Sequence, residues 1–159
     1  MDGLRKRAMV IDMKNGILIY SKTGSTRKVA ALLAKQLSCE VLEVKAVSDN
    51  PNDYFPVLTV KPDLAPFDHL VIASPVHGFA ISKVMETYLK QIPDMKGKSV
   101  DLFVTHFFPF ANWGGTQSLS QMKLLVESKH GVVGKMTSIS RTSVKRKHVI
   151  HQMIKDYSL

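Results

Sequence analysis

Short apolar runs alternate with amphipathic helical patterns along most of the chain, and this alternation restricts its fold more than any other feature. The run at residues 17–20 is continuously apolar, which is typical of a strand buried on both faces of a parallel sheet. Five segments are predicted as strands: 17–20, 39–44, 69–73, 99–105 and 135–139. The sequence therefore predicts one α/β domain, with parallel strands joined by right-handed helical crossovers.

Helical patterns fill the intervals between these strands. A helix is predicted after the first strand from apolar residues at helical spacing: Val29, Ala30, Leu32, Leu33 and Leu37. Further helices are predicted at 81–92, 116–129 and 142–157. The segment 45–68 contains four prolines and is expected to hold at most a short helix, because proline removes a backbone donor and restricts the residue before it.

Composition limits the class of protein further. The expected organisation is a basic lead-in at 1–13, with Arg5, Lys6 and Arg7, followed by one domain at 14–159. No apolar run approaches the roughly 20 residues of a membrane helix, and the start does not fit a secretory signal. The single cysteine, Cys39, excludes an internal disulfide, and a reducing cytoplasm is the expected compartment.

In sheets of this kind, ligands bind beyond the carboxyl ends of the strands, so the segments after Tyr20, Ala73 and Thr105 are the places to look. The first segment consists of Ser21, Lys22, Thr23, Gly24, Ser25 and Thr26. Its four hydroxyls, a glycine that admits close backbone approach, a lysine and the helix N-terminus behind it predict a phosphate site. The alternative is an ordinary capped turn, which would use one hydroxyl and the glycine.

The residues from Ile19 to Thr26 resemble the T/S-x-T-G-x-T phosphate loop of the flavodoxins, at the same place after the first strand. The resemblance extends from about Lys14 to the end of the chain and is to the short-chain type. It implies a flavodoxin-like doubly wound α/β fold, with a five-stranded parallel sheet in the order 2-1-3-4-5 and helices on both faces. It also implies that the loop binds the phosphate of flavin mononucleotide, FMN.

The second segment resembles the flavodoxin segment that lies along the flavin ring. It consists of Ser74, Pro75, Val76, His77, Gly78 and Phe79. His77 stands where flavodoxins often carry Trp or Tyr, and the resemblance implies that the Gly78 carbonyl turns toward the flavin N5. The alternatives are a solvated histidine and a plain turn glycine.

The third segment, 105–115, is long and aromatic for a strand-to-helix connection. Its residues expected at the cofactor are Thr105, His106, Phe107, Phe108, Asn112, Trp113 and Gly114. Trp113 or Phe108 is expected to contact the flavin, while core packing could account for Phe107 or Phe110. The resemblance implies that backbone donors near Asn112 and Gly114 face the polar edge of the ring.

The expected function is electron transfer through bound FMN, as a carrier or as the flavin module of a small reductase. The candidate segments contain no set of side chains for nucleophilic catalysis or metal binding, so neither a catalytic residue nor a metal is expected. One alternative is an FMN-dependent oxidoreductase acting on a quinone or porphyrin-like substrate, similar to the flavodoxin-type protoporphyrinogen oxidases. The other is a flavin-free binding module that uses a basic surface.

The formal charge of +9, from 22 Lys and Arg against 13 Asp and Glu, departs from the acidic character of typical flavodoxins. It favours an acidic redox partner or a small electron acceptor, and a raised potential for the reduced flavin. Basic residues concentrate near the C-terminus: Arg141, Lys145, Arg146, Lys147 and Lys155. They are interpreted as a solvated helix face, and nucleic-acid binding is not expected because no reading motif or interleaved aromatics accompany them.

Overall fold

The computed structural model of the chain describes residues 13–48, 50–110 and 113–158. Of the expected basic lead-in, residues 1–12 lie outside the described residues. No helix in the described ranges combines the length and the apolar character needed to cross a membrane.

A five-stranded parallel sheet forms the centre of the molecule. Its strands are β1 (Asn15–Ile19), β2 (Glu40–Glu43), β5 (His69–His77), β7 (Ser99–His106) and β8 (Val132–Ser140). Neighbouring strands follow the order β2-β1-β5-β7-β8, and all four pairings are parallel. Numbered among the parallel strands alone, this is the predicted order 2-1-3-4-5, so the fold prediction is confirmed.

Helices cover both faces of the sheet. They are α1 (Ser25–Leu37), α2 (Lys83–Gln91), α3 (Gly115–Ser128) and α4 (Arg146–Tyr157). Strand residues alternate between two cores: Leu18 and Ile72 pack with α2 and α3, whereas Ile17 and Val71 pack with α1 and α4. Continuous apolar runs are what a sheet buried on both faces requires. Leu32, predicted on the apolar face of α1, is instead 53% exposed.

The proline-rich segment contains two short strands that the sequence did not predict. Among the described residues of 45–68 there is no helix; instead β3 (Lys45–Ala46) and β4 (Leu58–Val60) pair antiparallel in a small second sheet. The prolines disfavour a helix here. The two strands can still pair, because the short stretches that form them contain no proline.

Three further elements begin or end three or more residues from their predicted positions, and one of them is β8, which begins at Val132 rather than at 135. Strand β5 continues to His77 and forms a hairpin with β6 (Ala80–Ile81), so the second candidate segment is a strand end and a turn rather than a loop. Helix α4 begins at Arg146 rather than at 142. The Ser140 Oγ accepts hydrogen bonds from the backbone N–H groups of Thr142 (3.3 Å) and Ser143 (3.1 Å), which holds this stretch as a turn.

Candidate functional site

A cavity of about 220 Å³ lies at the carboxyl ends of β1, β5 and β7, where the strand order reverses. All three candidate segments contribute to its wall, and we call it the switch-point cavity. Its lining residues are Lys22, Thr23, Ser25, Pro51, Pro75, Val76, His77, Thr105, His106, Phe107 and Arg141. The structure therefore brings together parts of three segments that are far apart in the sequence.

Two larger cavities, of about 510 and 380 Å³, lie toward the opposite end of the sheet. Both include Met13, the first described residue, so the described residues alone do not define their walls. The second contains His69, whose Nε2 is 2.9 Å from the Asp101 carboxylate. None of the segments with phosphate-binding character reaches this end.

Two of the four hydroxyls of the first segment are bonded to other groups of the protein, and two are available to a ligand. The buried Ser21 Oγ accepts hydrogen bonds from the backbone N–H groups of Gly24 (3.2 Å) and Arg27 (3.3 Å). The buried Thr26 hydroxyl lies 2.8 Å from the Thr105 hydroxyl. Thr23, which is exposed, and Ser25, which is half-buried, line the switch-point cavity.

The N-terminus of α1 is open to a ligand. Gly24 precedes the helix with φ of +93°, and the first turn contains no acidic residue. The Ser21 Oγ caps the Arg27 N–H of this turn. Within the described ranges, no acceptor lies opposite the backbone N–H groups of Ser25 and Thr26. Free N–H groups and the positive end of the helix dipole together favour an anion here.

The second segment also contains one side chain that is bonded inside the protein and others that line the cavity. Ser74 is fully buried, and its hydroxyl is hydrogen bonded to Ser82, the cap of α2, so its side chain does not reach the cavity. Pro75, Val76 and His77 form one wall of the cavity. The His77 ring contacts Tyr20 edge-on, with ring centroids 6.3 Å apart. Gly78, with φ of +67°, and the exposed Phe79 form the turn to β6.

Thr105 and His106 end strand β7 and are both buried against the cavity. The backbone N–H of Arg141 donates to the His106 carbonyl over 2.7 Å, which ties the end of β7 to the residue after β8. Burial lowers the pKa of His106, and a hydrogen bond with the Phe108 backbone only partly offsets this effect. His106 is therefore neutral at pH 7.

The aromatic side chains of the third segment form an exposed edge-to-face cluster, which we call the aromatic cluster: Phe107, Phe108, Phe110 and Trp113. The ring centroids are 5.8 Å apart in the pair Phe107–Phe108, 5.4 Å in Phe108–Trp113 and 5.1 Å in Phe110–Trp113. Phe107 and Phe110 are 63% and 55% exposed, so the alternative that they pack in the core is wrong. Of the four, Phe107 lines the cavity, whereas Phe108 and Trp113 do not. Asn112 lies outside the described residues.

Gly114 joins the third segment to the second, although it does not line the cavity. Its φ is +104°, and a Cβ at this position would lie 3.0–3.3 Å from Val76 Cγ1, Phe79 Cα and the Gly78 carbonyl oxygen. Any side chain here would press on the turn after β5. Gly114 therefore permits the close approach of two cavity segments.

Comparison with solved structures identifies the architecture. The chain matches the flavoprotein of Lactobacillus acidophilus NCFM in complex with FMN at a TM-score of 0.64, with 22% identity over 79% of this chain and 93% of that one. It matches oxidised flavodoxin 2 from Bacillus cereus at 0.65, with 14% identity over 91% and 97%. The FMN-bound flavodoxin of Fusobacterium nucleatum matches at 0.62, with 18% identity over 91% and 94%. The fold is flavodoxin-like. No protein-family model and no curated protein sequence matches the chain.

In this flavodoxin-like chain, the lining of the switch-point cavity includes a proline and an arginine that lie outside the three predicted segments. Pro51 and Arg141 line the switch-point cavity. A neighbouring cavity of about 200 Å³ is lined by Thr23, Ser25, Lys28, Arg141 and Arg146. The C-terminal basic residues were visible in the sequence, but placing two of them at the first loop needs the packing of α4 beside α1. The solvated-face interpretation fits Lys147, which is exposed and lines neither cavity.

Proposed function

We propose that the chain binds FMN in the switch-point cavity and transfers electrons through it, as a carrier or as the flavin module of a small reductase. The observation that carries this proposal is the convergence of the three candidate segments on one cavity, at a helix N-terminus where the N–H groups of Ser25 and Thr26 have no acceptor among the described residues. When bound, FMN would supply the redox chemistry, since its ring takes up and releases electrons.

The residues of the first loop fit a phosphate monoester. The Thr23 and Ser25 hydroxyls and the N–H groups of Ser25 and Thr26 would donate to its oxygens, with Lys22 adding a full positive charge. The Ser21 and Thr26 hydroxyls, already bonded internally, hold the loop in shape.

The flavin ring would lie between the β5 and β7 walls of the cavity. Pro75, Val76 and His77 form the first wall, and His106 and Phe107 belong to the second. These side chains orient the ring and limit its contact with water. Gly78, at the edge of the first wall, has φ of +67°, and glycine adopts either sign of φ, so a turn of its peptide would meet no strain from a side chain.

Charge supports an acidic redox partner or a small anionic electron acceptor. The described lining of the switch-point cavity contains Lys22 and Arg141 and no carboxylate. With a formal charge of +9, the chain attracts acidic proteins over distances of about 10 Å at 0.1 M salt. A cytoplasmic location is part of the proposal, and association with the partner should weaken as salt rises.

The test is the visible spectrum of the purified chain after incubation with FMN and desalting. Flavin absorbance should remain with the wild type. Thr23→Val/Ser25→Ala, which removes the two available hydroxyls, should weaken FMN binding at least tenfold, since hydrogen bonds to charged groups contribute about 1.5–3 kcal/mol each. The matched control is Thr59→Val/Ser120→Ala, which changes exposed residues elsewhere.

Colourless wild-type protein that takes up no FMN would contradict the proposal and favour the flavin-free binding module. Equal FMN affinity in both double variants would leave the cofactor in place but contradict the assigned phosphate site. Fluorescence quenching of FMN measures the affinities directly.

The aromatic cluster favours a second candidate function. Phe107, Phe108, Phe110 and Trp113 expose 41–63% of their surfaces beside the cavity, as expected for a site that contacts a flat apolar substrate. An FMN-dependent oxidoreductase acting on a quinone or porphyrin-like molecule would use them in this way. Steady-state turnover with a soluble quinone, lost in Trp113→Ala, separates this function from that of a carrier.

A further inference from the structure

A second cavity adjoins the phosphate loop and has a strongly basic lining. We call it the basic cleft; it measures about 200 Å³ and is lined by Thr23, Ser25, Lys28, Arg141 and Arg146. Its described lining holds three cationic side chains, two hydroxyls and no carboxylate. Thr23, Ser25 and Arg141 also line the switch-point cavity, so the two spaces are neighbours with a common wall.

The first residues of two helices line the basic cleft. Helix α1 begins at Ser25 and helix α4 at Arg146, and both residues belong to the lining. Neither helix has an acidic residue in its first turn. In α1 the Ser21 Oγ caps the Arg27 N–H, and in α4 the Arg146 N–H donates to the Ser143 carbonyl. Each N-terminus contributes about half a positive charge from the helix dipole.

The cations of the basic cleft lack counter-charges. In the described part of the chain, Lys28, Arg141 and Arg146 form no ion pair. Arg27, by contrast, stands beside Lys28 on α1 and pairs with Glu43. Positive charges gathered without a partner repel one another, and an anion placed among them relieves that repulsion.

One phosphate does not balance this charge. Lys22, Lys28, Arg141 and Arg146 with the two helix N-termini amount to about five positive charges, whereas a phosphate monoester carries about −1.5 to −2 at pH 7. Lys28 and Arg146 line the basic cleft and not the switch-point cavity, so they lie on the side of the loop away from the proposed flavin.

We propose that the basic cleft binds a second phosphoryl group, next to the phosphate held by the first loop. This inference rests on the proposed function in placing a flavin phosphate in the adjoining cavity. The group has two possible sources, the pyrophosphate of flavin adenine dinucleotide, FAD, or the phosphate monoester of a separate dinucleotide such as NADP⁺.

The experiment compares Lys28→Gln/Arg146→Gln with the control Lys147→Gln/Lys155→Gln, which removes the same charge from exposed positions of α4. Dissociation constants are measured by titration calorimetry on flavin-free protein for FMN, FAD, NAD⁺ and NADP⁺, and thermal melts check that both variants are folded. The cleft variant should lose at least tenfold in affinity for FAD or for NADP⁺, and less than threefold for FMN and NAD⁺. The control should lose less than threefold for every probe.

A loss confined to FAD identifies a pyrophosphate joined to the flavin, and a loss confined to NADP⁺ identifies a separate phosphorylated ligand. The inference is overturned if the wild type binds neither FAD nor NADP⁺. It is also overturned if the cleft variant loses as much affinity for FMN as for FAD and its affinities for NADP⁺ and NAD⁺ change by the same factor. Failure of the wild type to bind FMN would instead refute the proposed function, and the NADP⁺ and NAD⁺ titrations would still decide the role of the cleft.

Discussion

The Thr26 hydroxyl, which the sequence places in a ligand-binding loop, serves the interior of the protein. It lies 2.8 Å from the Thr105 hydroxyl, and both side chains are at least 98% buried. The contact fixes the start of α1 to the end of β7. The sequence could show how many hydroxyls the loop has, but not which are already bonded, because that depends on a strand distant in the sequence.

Thr26→Val should destabilise the fold by about 1–3 kcal/mol, because it leaves the Thr105 hydroxyl buried without this partner. The free energy of unfolding is measured by urea denaturation for Thr26→Val, Thr105→Val and the double variant. The double variant should be more stable than the sum of the single losses predicts. Strictly additive losses would show that the two hydroxyls do not interact.

His106 makes the stability of the protein depend on pH below neutrality. Because burial lowers its pKa in the folded state, the unfolded chain takes up the proton first as pH falls through about 6.5. Stability should therefore decrease from pH 7 to pH 5. His106→Gln should flatten this slope in urea denaturation, whereas His148→Gln, at an exposed position, should not. Parallel slopes for the wild type and His106→Gln would exclude this role.

At the scale of elements, the parallel strands followed from the sequence because a doubly buried strand has a distinctive apolar run, whereas their order was implied by the resemblance to flavodoxins. The extension of β5 through Pro75 did not. Strand β1 ends its pairing with β5 at Ala73, so Pro75 pairs on the β7 side alone and its missing N–H is tolerated. The β3–β4 hairpin was missed for a related reason, since two- and three-residue strands carry no detectable period.

Asp101 connects three strands near the amino end of the sheet. Its carboxylate is 2.9 Å from His69 Nε2 on β5 and accepts a hydrogen bond from the Lys135 N–H on β8 over 2.7 Å. Burial alone would raise the pKa of Asp101, but these two hydrogen bonds outweigh it and hold the pKa below its usual value.

The contribution of Asp101 should therefore be complete above about pH 4 and be lost as pH falls through the lowered pKa. Asp101→Asn should be less stable than the wild type at pH 7, and the difference should shrink toward pH 3. Urea denaturation across this range measures it. Glu127→Gln, a change at an exposed carboxylate, should show no comparable convergence, and a constant deficit in Asp101→Asn would contradict the assignment.

At the scale of the whole molecule, the topology made the meeting of the three segments predictable, since parallel strands end at one edge of the sheet. Which side chains face the cavity was not predictable. Ser74 turns inward to Ser82, and Phe107 rather than Trp113 reaches the cavity. Arg141 reaches it from the connection between β8 and α4, whose packing no local pattern encodes.

The positive charge of the site should raise the reduction potential of bound FMN, because reduction adds negative charge beside Lys22 and Arg141. Lys22→Gln should lower the potential by about 20–60 mV. For a one-electron reduction, about 59 mV corresponds to a tenfold change in the equilibrium constant. A spectroelectrochemical titration measures it, with Lys61→Gln as a control of equal charge outside the cavity. An unchanged potential in Lys22→Gln would refute the electrostatic effect.

The close approach of Gly114 to the turn at Gly78 has a mechanical consequence. A close contact at Gly114 sets the approach of the start of α3 to the turn at Gly78, and the Ile81 N–H on β6 also donates to Gln121 Oε1 on α3 over 3.2 Å. Only a hydrogen atom of Gly114 lies at this contact, and the two backbones can come this close for that reason. A methyl group at this position, as in Gly114→Ala, would push the start of α3 away from the turn at Gly78.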